Sequence, residues 1–215
     1  GLLPGATVFV PEGERNDYLA AGAAEVVGVP RKIRGITQTR NWVLERAERD
    51  GERWVVFVDD DVRLAGWTEL LSRSARRVKI PAGAWEGEFL RLFEVMEGIG
   101  LRIWGVATQS ATRSIYPYRP FLFHTYVTAS CMGMQSDLRF DESFPVKEDY
   151  ELCLRCLRDD GGVLGARYLY WENDHWSGSG GCATYRTQAV EFAAIKRLIA
   201  MYPGMVSRVT RGGSE

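Results

Sequence analysis

The sequence lacks any apolar run close to the roughly 20 residues that a membrane-spanning helix requires. Its first residues also lack the charged-then-apolar pattern of a secretion signal, so we expect a cytoplasmic location and no membrane partner. Neither sign of charge is in excess, and the formal net charge is −1. The chain as a whole therefore has no bulk attraction for nucleic acid, and contact with a polyanion needs a local basic patch such as Arg73–Lys79. A solvated helix face is the alternative interpretation of that patch.

Cysteine is scarce, with four residues in a chain of 215. Cys153 and Cys156 form a C-x-x-C pair inside a predicted helix, without a second pair at the spacing of zinc ligands. Zinc or redox chemistry is the alternative interpretation. The spacing favours small, partly buried thiols in a reducing cytoplasm.

The composition is that of an ordinary globular protein, with 46% hydrophobic and 26% charged residues. The length predicts one domain over residues 1–203, followed by a loose tail over residues 204–215. Within the first 60 residues, short apolar runs alternate with helical patterns, of which Gly35–Asp50 is the longest. The apolar runs are Thr7–Val10, Glu25–Val29 and Trp54–Val58. This alternation predicts an α/β fold with parallel strands and right-handed crossovers.

Further elements are predicted in the rest of the chain from the same periodicities. Helices are expected at Trp67–Arg77, Glu86–Glu97, Glu148–Leu157 and Thr187–Tyr202. Strands are expected at Leu101–Thr108, Val127–Gln135 and Arg167–Tyr170.

Three aspartates, Asp59, Asp60 and Asp61, directly follow the apolar strand Trp54–Val58. Ligands of open α/β sheets bind beyond the carboxyl ends of such strands. Crowded carboxylates repel one another unless a cation joins them, and hard oxygen ligands suit Mg²⁺ or Mn²⁺ together with substrate phosphates. A solvated acidic turn is the alternative interpretation.

Other polar motifs accompany the triplet in a fixed order along the chain. They are Gly35–Asn41 before it, and Phe140–Glu142, Lys147–Leu152 and His175 after it. This order resembles the inverting GT-A glycosyltransferases of the large family-two type, which have an "ARN" helix, a D-x-D, a glycine-containing acceptor strand, an "E-D" pair and a late metal-binding histidine. The resemblance implies a Rossmann-like mixed, mostly parallel sheet flanked by helices. It also implies a UDP-sugar donor with Mn²⁺ or Mg²⁺.

The same resemblance implies roles for the acidic triplet and for His175. Asp61 is expected to bind the metal, while Asp59 meets the donor ribose or the metal through water. His175 is expected to complete the coordination, and a neutral imidazole suits Mn²⁺ better than Mg²⁺. A structural histidine between Asp174 and Trp176 is the alternative for His175.

Glu148 and Asp149 open a predicted helix, whose dipole stabilises a carboxylate in its ionised form. Inverting transfer needs one general base on the face of the sugar opposite the leaving group. By its match to the "E-D" pair, Asp149 is the candidate base and Glu148 the second choice. Helix capping alone also accounts for acidic residues at this position.

The remaining candidates concern the donor. Arg40 matches the helix arginine of the family and is expected to face the diphosphate or the acidic strand end, although it also fits a plain surface charge. Pro11, Asp17 and Asp60 complete the expected donor-binding set, with Asp17 accepting from a uracil N–H or simply forming a turn. The glycine-rich segment Ser177–Gly181 is either a lid over the donor or a flexible connection.

Two segments, IRGITQTRN and FPVKEDYELCLRC, resemble a narrower group: the glycosyltransferases associated with TET and base-J-binding-protein dioxygenases of phages and kinetoplastids. That resemblance implies transfer of glucose from UDP-glucose to a 5-hydroxymethylpyrimidine in DNA, such as 5-hydroxymethylcytosine, in the host cytoplasm if a phage encodes the chain. An aromatic segment with two arginines is a candidate for stacking on a base and contacting phosphates, and a hydrophobic flap is its alternative. Its residues are Arg113, Tyr116, Tyr118, Arg119, Phe121, Phe123 and Tyr126.

Three other functions remain open from the sequence. The first is a glycosyltransferase that acts on a glycan, a lipid-linked sugar or a protein hydroxyl. The second is a nucleotidyltransferase, which also has carboxylates at a strand end but does not need the "E-D" pair or His175. The third is a binding domain that has lost catalysis, against which the intact set of Asp59, Asp61, Asp149 and His175 argues.

Overall fold

The computed structural model describes residues 3–71, 74–108, 119–173 and 186–207. Several predicted features lie outside these residues. They are His175, the Ser177–Gly181 segment, Arg113, Tyr116, Tyr118 and most of the predicted tail. The domain boundaries stay a prediction.

Nine strands form two sheets in the described part of the chain. The strands are β1 (Thr7–Pro11), β2 (Glu25–Val29), β3 (Trp54–Val58), β4 (Val62–Leu71), β5 (Ser74–Lys79), β6 (Ile103–Thr108), β7 (Phe121–Leu122), β8 (Cys131–Gln135) and β9 (Leu164–Asn173). Strands β1 and β2 pair in parallel as a small sheet. The large sheet has the order β3-β8-β6-β9-β4-β5, and β7 pairs with β9 beside this path.

Five helices accompany the strands within the described ranges. They are α1 (Arg15–Ala20), α2 (Gly35–Arg49), α3 (Trp85–Gly98), α4 (Glu148–Asp159) and α5 (Gln188–Met201). Short 3₁₀ turns at Glu12–Glu14 and Ala82–Ala84 lead into α1 and α3. Among the residues that the structure describes, no helix is both long and apolar enough to cross a membrane.

The predicted α/β class is confirmed, because a large mixed sheet is flanked by helices in a Rossmann-like arrangement. The expectation of a mostly parallel sheet is wrong. Only the β1–β2 and β6–β9 pairs are parallel among the described pairings, and the other five are antiparallel. The reason is that β8 and β4 run opposite to their neighbours, which the alternation of the first 60 residues does not reveal.

The predicted helix Trp67–Arg77 is also wrong, because its residues 67–71 and 74–77 lie in the antiparallel strands β4 and β5. Strand β4 additionally pairs with β9, where Gly66 faces Tyr170 and Trp67 faces Leu169. These pairings join residues about a hundred positions apart, and such tertiary context overrides local helix propensity. Arg76, Arg77 and Lys79 of the predicted patch consequently lie on the edge strand β5, not on a helix, and Arg73 is outside the described residues.

The two faces of the large sheet are covered by different helices. Helix α3 packs on one face, where Trp104 and Val106 of β6 and Cys131 of β8 join its apolar side. On the other face, Leu44 of α2 and Leu152 of α4 share a second core with alternate residues of the same strands. The alternation along β6 and β8 thus builds a helix–sheet–helix sandwich.

Glycine at position 133 of β8 is required by packing. A Cβ atom there would lie only 2.1 Å from the nearest atom of the Trp104 ring on the neighbouring strand. The glycine therefore lets a buried tryptophan lie flat across β8. This gives a structural reason for the glycine of the predicted acceptor strand.

Predicted motifs lie together at one end of the strands of the large sheet. Strands β3, β6 and β9 run in one direction and finish at this end, whereas β8 and β4 begin there. The backbone N–H of Asp59 donates to the Ser130 carbonyl at 3.0 Å, which ties the end of β3 to the start of β8. The acidic triplet consequently lies beyond the carboxyl end of β3, where ligands of such sheets bind.

Candidate active site

Arg40 joins the acidic strand end to the start of helix α4. Its side chain is almost fully buried, with the residue 8% exposed on the inner face of α2. Nη2 lies 3.5 Å from Asp59 Oδ1, and Nη1 donates to Glu148 Oε1. The guanidinium also lies over the rings of Phe57 and Phe140, at 5.9 and 5.8 Å from their centroids. The predicted candidates Arg40, Asp59 and Glu148 therefore form one cluster.

The three aspartates point to three different partners. Asp59 pairs with Arg40, and Asp60 accepts a hydrogen bond from the Tyr18 hydroxyl of α1. Asp61 Oδ1 accepts from Asn173 Nδ2 of β9 at 2.6 Å. Only Asp59 therefore has a cationic partner among the described residues, and the partners of Asp60 and Asp61 are neutral.

Glu148 is held by two opposing influences. Burial raises the pKa of its carboxyl above the ordinary 4.5, and the charge of Asp149 adds to this effect, while the Arg40 guanidinium lowers it. The residue is only 5% exposed and bonded to Arg40, so a substrate hydroxyl has no direct route to the carboxylate oxygen that pairs with Arg40. Its position is that of a structural member of the cluster.

Asp149, by contrast, is half-buried and lies at the surface of the site. Its Oδ2 accepts a hydrogen bond of 2.6 Å from the hydroxyl of Tyr126, and its Oδ1 accepts the backbone N–H of Tyr150 at 2.9 Å. Helix α4 begins at Glu148, so Asp149 is in its first turn, where the helix dipole favours a negative charge. The sequence identifies Tyr126 only as a stacking candidate, and its contact with Asp149 has no local signal.

The oxygen atoms near Asp61 have the chemistry of ligands for a hard cation. Asn173 Oδ1 is buried, and no hydrogen-bond donor among the described residues reaches it. A buried amide oxygen beside a carboxylate is a typical ligand pair for Mg²⁺ or Mn²⁺. Residues 3–71, 74–108, 119–173 and 186–207 contain no group of three or more His, Cys, Asp or Glu side chains arranged to hold a metal. His175 lies outside these residues.

A groove of about 500 Å³ opens at the carboxyl ends of β1 and β2 and the first turn of α2. Pro11, Arg31, Arg34 and Thr39 are among its lining residues. Thr39 is followed in α2 by Arg40, so a single turn of helix connects the groove to the acidic cluster. Asp17 lies on α1 nearby but does not line the groove.

Thr37 and Asn41, which the motif contains without a stated role, fix α2 to the segment after β8. Thr37 Oγ1 donates to the Phe144 carbonyl at 2.7 Å. Asn41 Nδ2 donates to the Phe140 carbonyl at 3.0 Å, and its Oδ1 accepts the Phe140 N–H at 2.8 Å. The two side chains pair with backbone groups that are buried and would otherwise lack a hydrogen-bond partner, and so they hold the cluster together.

A family model described as TET-Associated Glycosyltransferase matches residues 5–181. This range includes every motif from β1 to the segment after β9. The chain belongs to the TET-associated glycosyltransferase family. The narrower of the two resemblances is thereby confirmed, and the glycosyltransferase class is established at the level of the family.

Other comparisons add little to this assignment. No curated protein sequence matches this TET-associated glycosyltransferase. A solved structure described as "Crystal Structure of A197 from STIV" has 13% identity and a TM-score of 0.37, covering 77% of this chain and 83% of that one. A likeness of that size supports no argument about fold or function.

The cysteines of this TET-associated glycosyltransferase that the structure describes are free thiols inside the protein. They are Cys131, Cys153 and Cys156. Burial raises the pKa of Cys153 well above the ordinary 9 and that of Cys156 to about 12, so both stay protonated. Cys153 Sγ donates to the Val127 carbonyl at 3.3 Å. These are the inert, packed thiols that the spacing favours.

Proposed function

We propose that this protein transfers a sugar from a UDP-sugar, with UDP-glucose as the first candidate, to the hydroxyl of a 5-hydroxymethylpyrimidine in DNA. The single observation that supports it best is the double contact of Arg40 with Asp59 and Glu148. This contact brings the D-x-D strand end and the "E-D" helix, far apart in sequence, into one site. Membership of a family named for its association with TET supports a modified base in DNA as the acceptor.

In the proposed reaction, the donor nucleoside binds in the groove between β1, β2 and α2. Parallel strand ends and a helix N-terminus are a common arrangement for nucleotides, and Arg31 and Arg34 line the groove together with Glu12 and Glu14. The diphosphate would then extend along α2 toward Arg40 and the acidic triplet. Asp59, Asp61 and His175 are the proposed metal ligands, and Asn173 is a neighbouring oxygen donor. A bound Mn²⁺ or Mg²⁺ supplies Lewis-acid neutralisation of the leaving diphosphate.

Asp149 acts as the general base. It takes the proton from the acceptor hydroxyl while that oxygen forms a bond to the anomeric carbon of the sugar. The bond from the anomeric carbon to the diphosphate breaks on the opposite face, UDP leaves, and the configuration is inverted. Asp149 suits this role better than Glu148, because Asp149 is partly exposed and Glu148 is buried against Arg40.

The direct test is mass spectrometry of hydroxymethylated DNA after incubation with a panel of UDP-sugars and Mn²⁺. A mass gain of one sugar per hydroxymethylated base is the expected result. Unmodified DNA, free sugars and peptides serve as competing acceptors. Transfer to sugars or peptides, with none to hydroxymethylated DNA, would move the function to the alternative acceptor class.

Replacing Asp149 by Asn tests the base. The variant Asp149→Asn keeps the size and shape of the side chain but cannot accept the proton, so transfer should fall on the order of 10²-fold or more while donor binding is retained. The control is Asp159→Asn at the other end of α4, where Asp159 is exposed and paired with Arg158. Full transfer by Asp149→Asn would reassign the base.

Replacing Asp61 by Ala tests the metal site. The variant Asp61→Ala should lose the Mn²⁺-dependent part of UDP-sugar binding, measured by calorimetry with and without the ion. The matched control is Asp137→Ala, which removes an exposed carboxylate paired with Arg102. Equal Mn²⁺ dependence in both variants would contradict a metal role for Asp61.

A further inference from the structure

The Tyr126 hydroxyl and the Tyr150 backbone together fix the carboxylate of Asp149. Each carboxylate oxygen accepts one of the two hydrogen bonds, at 2.6 and 2.9 Å. Burial and the neighbouring Asp149 charge raise the pKa of the Tyr126 phenol far above its ordinary value of 10, so it remains a donor at any working pH. Tyr126 thus sets the orientation of the candidate base.

The ring of Tyr126 stacks on the ring of Tyr150. Their centroids are 3.9 Å apart and their planes differ by 24°. Both remain partly open to solvent, with Tyr126 36% and Tyr150 39% exposed. The Lys147 ammonium lies 4.7 Å from the Tyr150 centroid. An accessible aromatic pair therefore stands directly beside the carboxylate that would receive a proton from the acceptor.

The short distance between the hydroxyl and the ring of the acceptor base connects the contacts of Asp149 with the tyrosine pair. In a 5-hydroxymethylpyrimidine, a single carbon separates the hydroxyl oxygen from the flat ring. An acceptor whose hydroxyl reaches Asp149 therefore brings its ring within about one ring width of the tyrosine pair. Stacking of a base on an aromatic side chain is favourable for any base, since every base has a π-face.

We propose that Tyr126 and Tyr150 form the stacking surface for the acceptor pyrimidine and that the Tyr126 hydroxyl positions Asp149; this inference rests on the proposed function. A base paired inside a duplex has neither face free for such a surface. The acceptor base is consequently single-stranded or turned out of the helix when it reacts. Single-stranded hydroxymethylated DNA should be a better acceptor than the matched duplex.

Two variants separate the two roles of the pair. Tyr150→Leu removes one ring and should raise the acceptor Michaelis constant about tenfold, with that for the UDP-sugar unchanged. Tyr126→Phe keeps the ring and removes the hydroxyl, so kcat should fall about tenfold at an unchanged acceptor Michaelis constant. Tyr150→Phe keeps the ring, so its acceptor Michaelis constant should equal that of the unaltered protein. The control Phe192→Leu removes an exposed ring of α5, 41% exposed, and should leave all constants unchanged.

The outcomes distinguish this inference from the function on which it rests. If the unaltered protein glycosylates no hydroxymethylated DNA, the function and the inference both fall. If it does, and Tyr150→Leu binds a hydroxymethylated single strand as tightly as Tyr150→Phe by fluorescence anisotropy, the inference alone falls. An unchanged kcat in Tyr126→Phe would likewise remove the positioning role. Circular dichroism of each variant verifies that it folds.

Discussion

Two adjacent carboxylates at the start of α4 have acquired different surroundings. Glu148 points inward to Arg40 and is buried, whereas Asp149 lies between Tyr126 and solvent. On a helix, neighbouring residues point about 100° apart, so one acidic pair supplies a buried group and an accessible one. The chemistry of the site is consistent with this division, because a general base must be reachable by its substrate.

The raised pKa of Glu148 makes stability depend on pH in a defined direction. A carboxyl whose pKa is raised by folding stabilises the folded state most below its unfolded value of 4.5, and this contribution is lost as pH rises through the folded pKa. Each unit by which the folded pKa differs from the unfolded pKa corresponds to about 1.4 kcal/mol in the free energy of unfolding. The variant Glu148→Gln does not titrate at this position.

We therefore expect the free energy of unfolding of the unaltered protein, relative to Glu148→Gln, to fall as pH increases from about 4 to 7. Urea unfolding at a series of pH values measures this difference. A difference that grows with pH would mean that attraction to Arg40 outweighs burial, and parallel curves would mean that the two cancel.

Sequence reasoning at this scale identifies acidic and basic candidates but not the groups that orient them. Arg40, Asp59 and Glu148 are recognisable because charged residues in motifs attract notice. Tyr126 and Asn173 lie 23 and 112 residues from their partners Asp149 and Asp61. Nothing in the local sequence specifies which carboxylate each will meet, so these two contacts require the fold.

At the scale of elements, the start of α4 is set by an unusual backbone conformation. Lys147 has φ of 62° and ψ of 26°, the left-handed region that a side chain disfavours by about 1 kcal/mol or more. Its Nζ pairs with Glu191 of α5 at 2.8 Å. The turn at Lys147 directs Glu148 into the cluster and leaves Asp149 at the surface.

Two substitutions at this position separate the strain from the ion pair. Both Lys147→Ala and Lys147→Gly lose the contact with Glu191, but only glycine adopts the left-handed conformation without strain. The glycine variant should therefore be more stable than the alanine variant by about 1 kcal/mol in guanidinium unfolding. Equal stability of the two would indicate that the turn relaxes when the lysine is replaced.

Elements with strong local patterns are predictable from the sequence, and those that depend on distant pairing are not. Helix α2 and strand β3 follow directly from helical periodicity and an apolar run. The β4–β5 hairpin does not, because residues 67–71 also fit a helix, and pairing with β5 along their length and with β9 at Trp67 makes them a strand. The reversed direction of β8 is hidden for the same reason.

At the scale of the whole molecule, the nearly neutral chain predicts a weak dependence of DNA binding on salt. With a formal net charge of −1, binding that relies on stacking at the tyrosine pair involves few phosphate contacts. The slope of log affinity against log salt should be shallower than about −3 for a hydroxymethylated single strand.

Fluorescence anisotropy between about 50 and 200 mM salt measures this slope. An unmodified strand of the same length provides the comparison. A slope of about −6 or steeper would reveal an extensive phosphate-binding surface and would make electrostatics, not stacking, the main source of affinity.

The links from α2 also determine when the site can exist during folding. Thr37, Arg40 and Asn41 contact partners 107, 108 and 99 residues further along the chain. Contacts so distant in sequence incur a large loop-closure entropy and form slowly. A nascent chain that has emerged only as far as the aspartate triplet holds none of these partners. Catalytic competence is therefore acquired late, after the second half of the polypeptide has docked.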